Sequence, residues 1–500
     1  MTAANTRSAT GVPGLDEVLH GGLIPGRLYL IDGDPGAGKT TLSLQYLMEG
    51  VRQGETTLYV TLGETAGELR AGAASHGWSL DGIEIIELIA DEGELLGEAE
   101  LTMFHPSEVE LNETTKRILD AVQRHKPRRM VLDSLSELRL LAQTSLRYRR
   151  QILALKQFFL GRNCTVLFLD DRSSDGIDMQ VHSIANGVVA LEHTVPEYGP
   201  ALRQLRVTKF RGSDFISGYQ DMLILRGGLH VFPRLTPSDH GMPYERQVVP
   251  SGVESLDTLL GGGIERGTAT LLTGPAGSGK STIAAQYAFA AAQRGDKAVI
   301  FAFEESRTLL LNRLRGIGLP VDECVDSGRL TVRQIDPAEV LPSQFANIVR
   351  AAVEQDGAKI VVIDSLNGYL NAMPEERALT VQLHELLSYL GNHGVATFLV
   401  AAQSGMLGPN MRNAVDTSYL ADAVVLFRMY EHAGAVRKAI SVIKKRSGHH
   451  EDTIRQLWFN AQGVHLGPPL MHLRGVLAGV PIELQSPAKP AGDDEHQRRF

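Results

Sequence analysis

The sequence contains few residues that could form covalent or metal cross-links. Its two cysteines, Cys164 and Cys324, exclude a disulfide framework and a four-cysteine zinc site in this chain of 500 residues. Both lie in apolar segments, which favours buried side chains over redox chemistry. No apolar run approaches the roughly 18 residues of a membrane span, and the first ten residues lack the apolar core of a signal peptide. We therefore expect a cytoplasmic protein that does not enter a membrane.

Positive charge is scarce as well. Lysine and arginine number 49 against 58 aspartates and glutamates, for a net charge of −9, so general attraction to nucleic acid is excluded. Basic stretches at 125–129 and 147–150 leave a local groove open. Glycine, in contrast, is abundant: it makes up 51 of the 500 residues, about one in ten, whereas an average protein contains about 7% glycine. This excess led us to look for glycine loops that approach a ligand closely.

Much of the sequence is an internal repeat. Residues 9–46 recur with substitutions as residues 250–287, an offset of 241 residues (250 − 9), and later landmarks recur at similar separations. A repeat of this length is a domain and not a solenoid unit. We predict an N-terminal lobe over 1–245, a C-terminal lobe over 246–480 and a flexible tail over 481–500.

Each copy alternates short apolar runs with helical patterns. The first copy contains RLYLI, TTLYVTL, RRMVLD and CTVLFLD, and the second contains TATLL, KAVIFAF, KIVVID and VATFLVA. Runs of this length, rich in Val, Ile and Leu, are typical of central strands covered by helices on both faces. We predict an α/β fold with a mostly parallel central sheet in each lobe.

A phosphate-binding motif occurs once in each copy. GDPGAGKT at 33–40 and GPAGSGKS at 274–281 both match G-x-x-x-x-G-K-[ST]. In this motif backbone N–H groups surround phosphates at a helix N-terminus, the lysine reaches the β- and γ-phosphates, and the hydroxyl binds Mg²⁺. The predicted nucleotide-binding residues are Gly33, Gly36, Gly38, Lys39, Thr40, Thr41, Gly274, Gly277, Gly279, Lys280, Ser281 and Thr282.

An aspartate ends one later apolar strand in each copy. Asp133 and Asp364 each end a strand, where a carboxylate can hold Mg²⁺ together with Thr40 or Ser281. A simple cap for the following helix is the alternative. We predict these four residues as the metal ligands of two ATP and Mg²⁺ sites.

Glutamates lie 25 residues after each motif lysine (64 − 39 and 305 − 280). Glu64 and Glu305 are therefore equivalent, and in the second copy Glu304 completes a carboxylate pair that can supply a catalytic base. The first copy has Gly63 at that place. Solvated loop acids are the alternative for all three glutamates.

These motifs together resemble the KaiC family, over residues 9–470. The resemblance implies two RecA-like lobes per subunit, a homo-hexamer of two stacked rings with ATP between neighbours, and an ATPase and serine autokinase with a regulatory or clock-type role, together with a reverse phosphatase activity. In this family a Lys-x-Arg pair reaches the nucleotide of the adjacent subunit. The matching residues are Lys209, Arg211, Lys444 and Arg446.

The resemblance also assigns roles within the lobes. The family's first glutamate activates water and maps to Glu304 but to Gly63 in the first copy, so slow hydrolysis is expected in the N-terminal lobe. The family's phosphorylated Ser-Thr pair maps to Ser418 and Tyr419. Ser418 keeps an acceptor hydroxyl, whereas Tyr419 is the weaker candidate because its reach and geometry differ, and a two-site cycle is therefore not implied.

An acidic segment distinguishes the first copy. Asp133 follows Lys39 by 94 residues (133 − 39), whereas Asp364 follows Lys280 by 84 (364 − 280). A solvated face is the ordinary interpretation of such a run. The family's binding of a small clock protein makes docking of a KaiB-like partner the alternative. The acids are Glu84, Glu87, Asp91, Glu92, Glu94, Glu98, Glu100, Glu108, Glu110 and Glu113.

Two other functions remain as alternatives. A RecA- or RadA-like DNA-dependent ATPase uses the same kind of fold, although this chain lacks a separate basic domain and zinc-finger cysteines. A binding module that holds ATP only between subunits is favoured by Gly63 in the first copy. The pair Glu304 and Glu305 disfavours that function for the second copy.

Overall fold

The structure is a computed structural model of the chain. The chain divides into two compact units, Met1–Arg234 and Leu235–Phe500, which we call the first and second lobes. The described residues are 7–88, 106–172, 179–195, 201–236, 244–370, 376–404, 412–413 and 419–484.

The first lobe alternates strands and helices. Its strands are β1 (Leu28–Gly33), β2 (Thr57–Thr61), β3 (Ile83–Glu87), β4 (Arg129–Asp133), β5 (Thr165–Asp171), β6 (Gly187–Thr194), β7 (Leu202–Phe210), β8 (Gln220–Leu225) and β9 (Gly228–Phe232). Its helices are α1 (Leu15–Val18), α2 (Lys39–Arg52), α3 (Ala66–Ser75), α4 (Pro106–His125), α5 (Leu135–Ala142), α6 (Ser145–Phe159) and α7 (Met179–Ile184).

The second lobe repeats this order. Its strands are β10 (Val248–Val249), β11 (Ile264–Glu265), β12 (Ala269–Gly274), β13 (Lys297–Ala302), β14 (Leu330–Gln334), β15 (Ala358–Asp364), β16 (Ala396–Ser404), β17 (Arg412–Asn413), β18 (Ala423–His432), β19 (Ala435–Lys445), β20 (Arg455–Asn460), β21 (Gly463–Pro469), β22 (Leu473–Arg474) and β23 (Ile482–Glu483). Its helices are α8 (Glu254–Leu259), α9 (Lys280–Gln293), α10 (Arg307–Gly316), α11 (Asp322–Asp326), α12 (Pro342–Glu354), α13 (Leu366–Leu370), α14 (Glu376–Asn392) and a 3₁₀ turn at Val476–Ala478.

The two main sheets have the same topology. Strand order is β3-β2-β4-β5-β1-β6-β7-β8-β9 in the first lobe and β14-β13-β15-β16-β12-β18-β19-β20-β21 in the second. The first six strands of each path pair in parallel, and the last three add antiparallel pairs. The predicted α/β class with mostly parallel sheets is confirmed.

Apolar side chains cover both faces of each sheet. On β1, Tyr29 and Ile31 belong to a core layer with α2 and α3, whereas Leu28 and Leu30 belong to a second layer with α4, α5 and α6. This alternation follows from the two-residue period of a strand. The second lobe repeats it, with Leu272 in one layer and Leu271 in the other. Strands buried on both faces explain the continuous apolar runs of the sequence.

The extra length of the first lobe lies after its edge strand. Eighteen residues separate Glu87 from Pro106 (106 − 87 − 1), whereas seven separate Gln334 from Pro342 (342 − 334 − 1). Acids 91–100 fall in this stretch, outside the described residues. Glu84 and Glu87 lie on β3, and Glu110 and Glu113 lie exposed on α4. The docking role of these acids stays a prediction. Within the described residues, no helix is long and apolar enough to cross a membrane.

Candidate nucleotide-binding sites

The two glycine loops have the same backbone shape. Gly36 and Gly277 have φ values of 76° and 74°, and Gly38 and Gly279 have φ values of 108° and 107°. Each loop joins the end of a central strand to the start of a long helix, α2 or α9. At Gly279 a Cβ would lie 2.4 Å from the Phe459 ring, so both backbone angle and space require glycine there. Two helix N-termini of this form can each receive phosphates.

The motif lysines are anchored inside their loops. Lys39 Nζ donates to the carbonyl oxygens of Gly33, at 2.8 Å, and Asp34, at 3.0 Å. Lys280 Nζ donates in the same way to Gly274, at 2.9 Å, and Pro275, at 2.7 Å. Burial lowers the pKa of Lys280 to about 8, against the opposing charges of Asp364 and Glu304.

The predicted metal ligands come together in both lobes. Thr40 Oγ1 donates to Asp133 Oδ2 at 3.4 Å, and Ser281 hydrogen-bonds Asp364. Burial raises the pKa of both carboxyl groups above their ordinary value. Hydroxyl and carboxylate oxygens are ligands that Mg²⁺ prefers, so each pair fits an ion that also binds phosphates. When bound, such an ion neutralises charge on the phosphoryl groups. The first lobe adds a further donor to Asp133, the hydroxyl of Tyr59.

Two carboxylates of the second lobe stand beside its loop. Glu304 is exposed and accepts a hydrogen bond from the Ser365 hydroxyl, next to Asp364. Glu305 is held by Arg313, whose Nε and Nη2 lie 3.2 and 2.7 Å from the two carboxylate oxygens. Arg313 Nη1 also donates to Thr282 Oγ1 at 2.8 Å. Glu305 is therefore ion-paired with Arg313, whereas Glu304 has no arginine partner among its described contacts and faces solvent beside the loop.

The first lobe lacks this arrangement. Leu62 N and Phe303 N each donate to the carbonyl of the strand-end aspartate at 2.7 Å, which aligns Gly63 with Glu304. Helices α3 and α10 begin after the equivalent caps Thr65 and Ser306, so Gly72 occupies the place of Arg313. The Glu64 side chain is exposed, but partial desolvation of its carboxyl group, together with the charge of Asp133, raises its pKa.

The Lys-x-Arg residues lie far from the glycine loop of their own lobe. Lys209 pairs with Val188 at the beginning of β6, and Lys444 pairs with Val424 at the beginning of β18. The glycine loops follow the carboxyl ends of β1 and β12, which run parallel to those strands. Both pairs are therefore at the opposite edge of the sheet from their own nucleotide site.

A family model described as ATPase, KaiC, matches residues 8–236 and, a second time, residues 249–470. The chain belongs to the KaiC family. Among curated proteins it is similar to the circadian clock protein KaiC3 of Synechocystis sp., with 26% identity over 95% of this chain and 94% of the relative. It is similar to the circadian clock oscillator protein KaiC of Acaryochloris marina, with 24% identity over 96% and 92%. The same protein of Synechococcus elongatus shares 24% identity over 96% and 93%.

Membership of this family implies that the chain binds ATP and hydrolyses it, typically with Mg²⁺ as the metal ion. Ser418, the phosphorylation candidate of this KaiC-family chain, lies outside the described residues. Tyr419 is described, with its side chain 55% exposed, and its carbonyl accepts from Arg446 at 3.0 Å. The basic stretch 125–129 does not form a basic surface as a whole, because Arg129 is buried against Glu55.

Two site residues of this KaiC-family chain were missed in the sequence. Arg313 lies in a helix whose charges resemble an ordinary solvated face. Asp171 ends β5, the strand next to β1, and its Oδ1 lies 2.7 Å from Lys39 Nζ at the start of α2. The general tendency of α/β sheets to bind ligands at the carboxyl ends of their strands could have identified Asp171, because CTVLFLD was recognised as a strand.

Proposed function

We propose that the chain is a hexameric KaiC-type ATPase and serine autokinase whose second lobe performs most of the catalysis. The observation that carries this proposal is the difference between Glu304-Glu305 and Gly63-Glu64 at aligned positions of two otherwise similar loops. A carboxylate near the phosphates can orient water or accept a proton. The first lobe retains the nucleotide loop without the first of these carboxylates.

Glu304 is the better base of the pair. Arg313 donates to both carboxylate oxygens of Glu305, at 3.2 and 2.7 Å, so this bidentate contact occupies the two oxygens that would otherwise accept a proton from water. Glu304 is exposed and accepts from the Ser365 hydroxyl. We assign water activation to Glu304 and positioning to Glu305.

The autokinase step places a side-chain hydroxyl where water otherwise attacks. The Ser418 oxygen forms a bond to the γ-phosphorus while the bond to the bridging oxygen of the β-phosphate breaks, ADP leaves, and the hydroxyl proton passes to a carboxylate such as Glu304. The family resemblance supports Ser418 as the acceptor.

Hexamer formation is supported by the position of the Lys-x-Arg residues. Lys444 and Arg446 are at the opposite edge of the sheet from Lys280 and do not reach the nucleotide of their own lobe, which supports a contact with the nucleotide of an adjacent subunit, as in the family. A cation supplied from a neighbour can neutralise charge that develops on the transferred phosphoryl group. The same argument applies to Lys209 and Arg211 in the first lobe.

Mass spectrometry tests the proposal directly. The full-length protein is incubated with ATP and Mg²⁺, its phosphosites are mapped, and its native mass is measured in the same sample. We expect a hexamer whose phosphorylation is lost in Ser418→Ala and retained in Tyr419→Phe. Labelling that is unchanged in Ser418→Ala contradicts the phosphosite, and ATP hydrolysis stimulated by DNA would favour the RadA-like alternative.

Mixing two inactive variants tests the shared site. Glu304→Gln removes the base, and Arg446→Ala removes the cation from the neighbour. If the site is shared, mixed hexamers contain some interfaces with both groups intact, and ATPase activity returns on mixing. Activity that stays absent in verified mixed hexamers contradicts a role in the adjacent subunit.

A further inference from the structure

The ammonium group of Lys39 is fully occupied by protein atoms. Two of its protons go to the loop carbonyls of Gly33 and Asp34, and the third faces Asp171 Oδ1 at 2.7 Å. Lys39 is 9% exposed and Asp171 is 45% exposed. The lysine that is expected to bind phosphate therefore already has a carboxylate as its partner.

The carboxylate of Asp171 is fixed by its place in the sheet. Asp171 ends β5 and is paired in register with Gly33, the first residue of the glycine loop. Its second oxygen, Oδ2, accepts a hydrogen bond from Ser136 Oγ at 3.3 Å. One oxygen is thus held by the lysine and the other by a serine at the start of α5, so the charge points into the site.

The equivalent position of the second lobe does not carry a carboxylate. The residue paired with Gly274 on the neighbouring strand β16 is Ala402. Within the described residues Lys280 forms no ion pair, and its contacts are the two loop carbonyls. The two lobes therefore present different charges to a phosphate at the same position.

The position of the carboxylate has a consequence for nucleotide choice. The motif lysine reaches the β- and γ-phosphates of a bound triphosphate. A carboxylate on its ammonium group competes with the γ-phosphate for the lysine and repels it, whereas a diphosphate lacks that group. We propose that Asp171 is a specificity-determining residue that shifts the first-lobe site towards ADP, relative to the second-lobe site.

A second carboxylate strengthens the repulsion. Asp133 ends β4, the strand next to β5, and its Oδ2 accepts a hydrogen bond from Thr40, the neighbour of Lys39, at 3.4 Å. Asp171 and Asp133 therefore place two negative charges at the carboxyl ends of neighbouring strands, next to the expected position of the phosphates. Mg²⁺ offsets part of this negative charge for either nucleotide, so the difference between ADP and ATP remains with the γ-phosphate.

The test measures nucleotide affinity and not turnover. In the full-length protein with Lys280→Ala, which disables the second site, fluorescent ADP is displaced by ADP or by the non-hydrolysable triphosphate AMP-PNP, with Mg²⁺. We expect Asp171→Asn to raise the ratio of triphosphate to diphosphate affinity about tenfold, because one partly screened charge is removed. An unchanged or lowered ratio overturns the inference. Asp81→Asn, an exposed charge away from the site, should leave the ratio unchanged.

The reciprocal substitution gives an independent test. Ala402→Asp, in the Lys39→Ala background, places a carboxylate beside the second loop at a half-buried position. We expect its triphosphate to diphosphate ratio to fall about tenfold, and an unchanged ratio overturns the inference even if Asp171→Asn does not fold. The inference rests on nucleotide binding by both lobes and not on the kinase. If the unsubstituted protein is not phosphorylated at Ser418, the proposed function alone is overturned, whereas a first lobe that binds neither nucleotide would overturn the inference.

Discussion

Restoring a glutamate at position 63 should activate the first lobe. The change is Gly63→Glu in full-length protein with Lys280→Ala, so that only the first site can bind nucleotide. A Cβ at Gly63 meets no atom within 4 Å, and its φ is not positive, so the new side chain enters open space without backbone strain. The backbone there is aligned with that of Glu304 by the same 2.7 Å hydrogen bond to the strand-end aspartate.

The expected magnitude follows from the groups around that position. A positioned general base contributes about 10²- to 10⁴-fold to a rate. Ser134 stands where Ser365 supports Glu304, but its hydroxyl is already shared with Ser136, and Gly72 leaves Glu64 without the arginine that binds Glu305. Because this support is incomplete, we expect an increase in kcat at or below the lower limit of that range, about tenfold to a hundredfold.

The assay is phosphate release at saturating ATP, with nucleotide affinity measured on the same preparations. Saturation removes any effect of Asp171 on binding. Gly63→Gln is the matched control, because glutamine has the same shape without a basic oxygen, and it should not raise the rate. Equal rates for the Glu and Gln variants with nucleotide bound would refute the reasoning. So would an unmodified first lobe that turns over as fast as the second.

The remaining predictions concern stability and reactivity, and the two tryptophans allow each lobe to be followed by fluorescence. Gly72→Ala should stabilise the first lobe by about 0.5–1 kcal/mol, because Gly72 lies in a helix and a Cβ added there would meet no atom within 4 Å; denaturation followed at Trp78 in a Trp458→Phe background measures this change. Arg313→Ala should destabilise the second lobe by about 1 kcal/mol, read at Trp458 with Trp78→Phe, since a half-exposed bidentate ion pair is lost. Burial raises the pKa of Cys164 to about 12, so almost no thiolate forms at pH 8, and alkylation should require unfolding.

The sequence predicted the parts of the fold that depend on local patterns. Glycine loops followed by Lys39 and Lys280 are contiguous, and the α/β class follows from apolar strand runs, so both could be identified without distant contacts. The contact between Lys39 and Asp171 could not, because it depends on β5 pairing with β1 across more than 130 residues (165 − 33 = 132). Arg313 was missed for a related reason, since its partners on two other segments become neighbours only in the folded lobe.

Three differences between the lobes, at Gly63, Gly72 and Asp171, lie at positions where they cost little in packing. Gly63, in the loop after β2, and Gly72, on α3, are exposed, and Asp171 is nearly half exposed at the end of β5, whereas β2 and β5 themselves are buried on both faces. Exchanging such residues leaves both core layers intact, whereas the same exchanges within a strand would place charge or a cavity in the core. A duplicated lobe can therefore acquire a different nucleotide preference and a different rate while keeping its fold. The carboxyl ends of the strands are where the two sites of this chain should differ most in function.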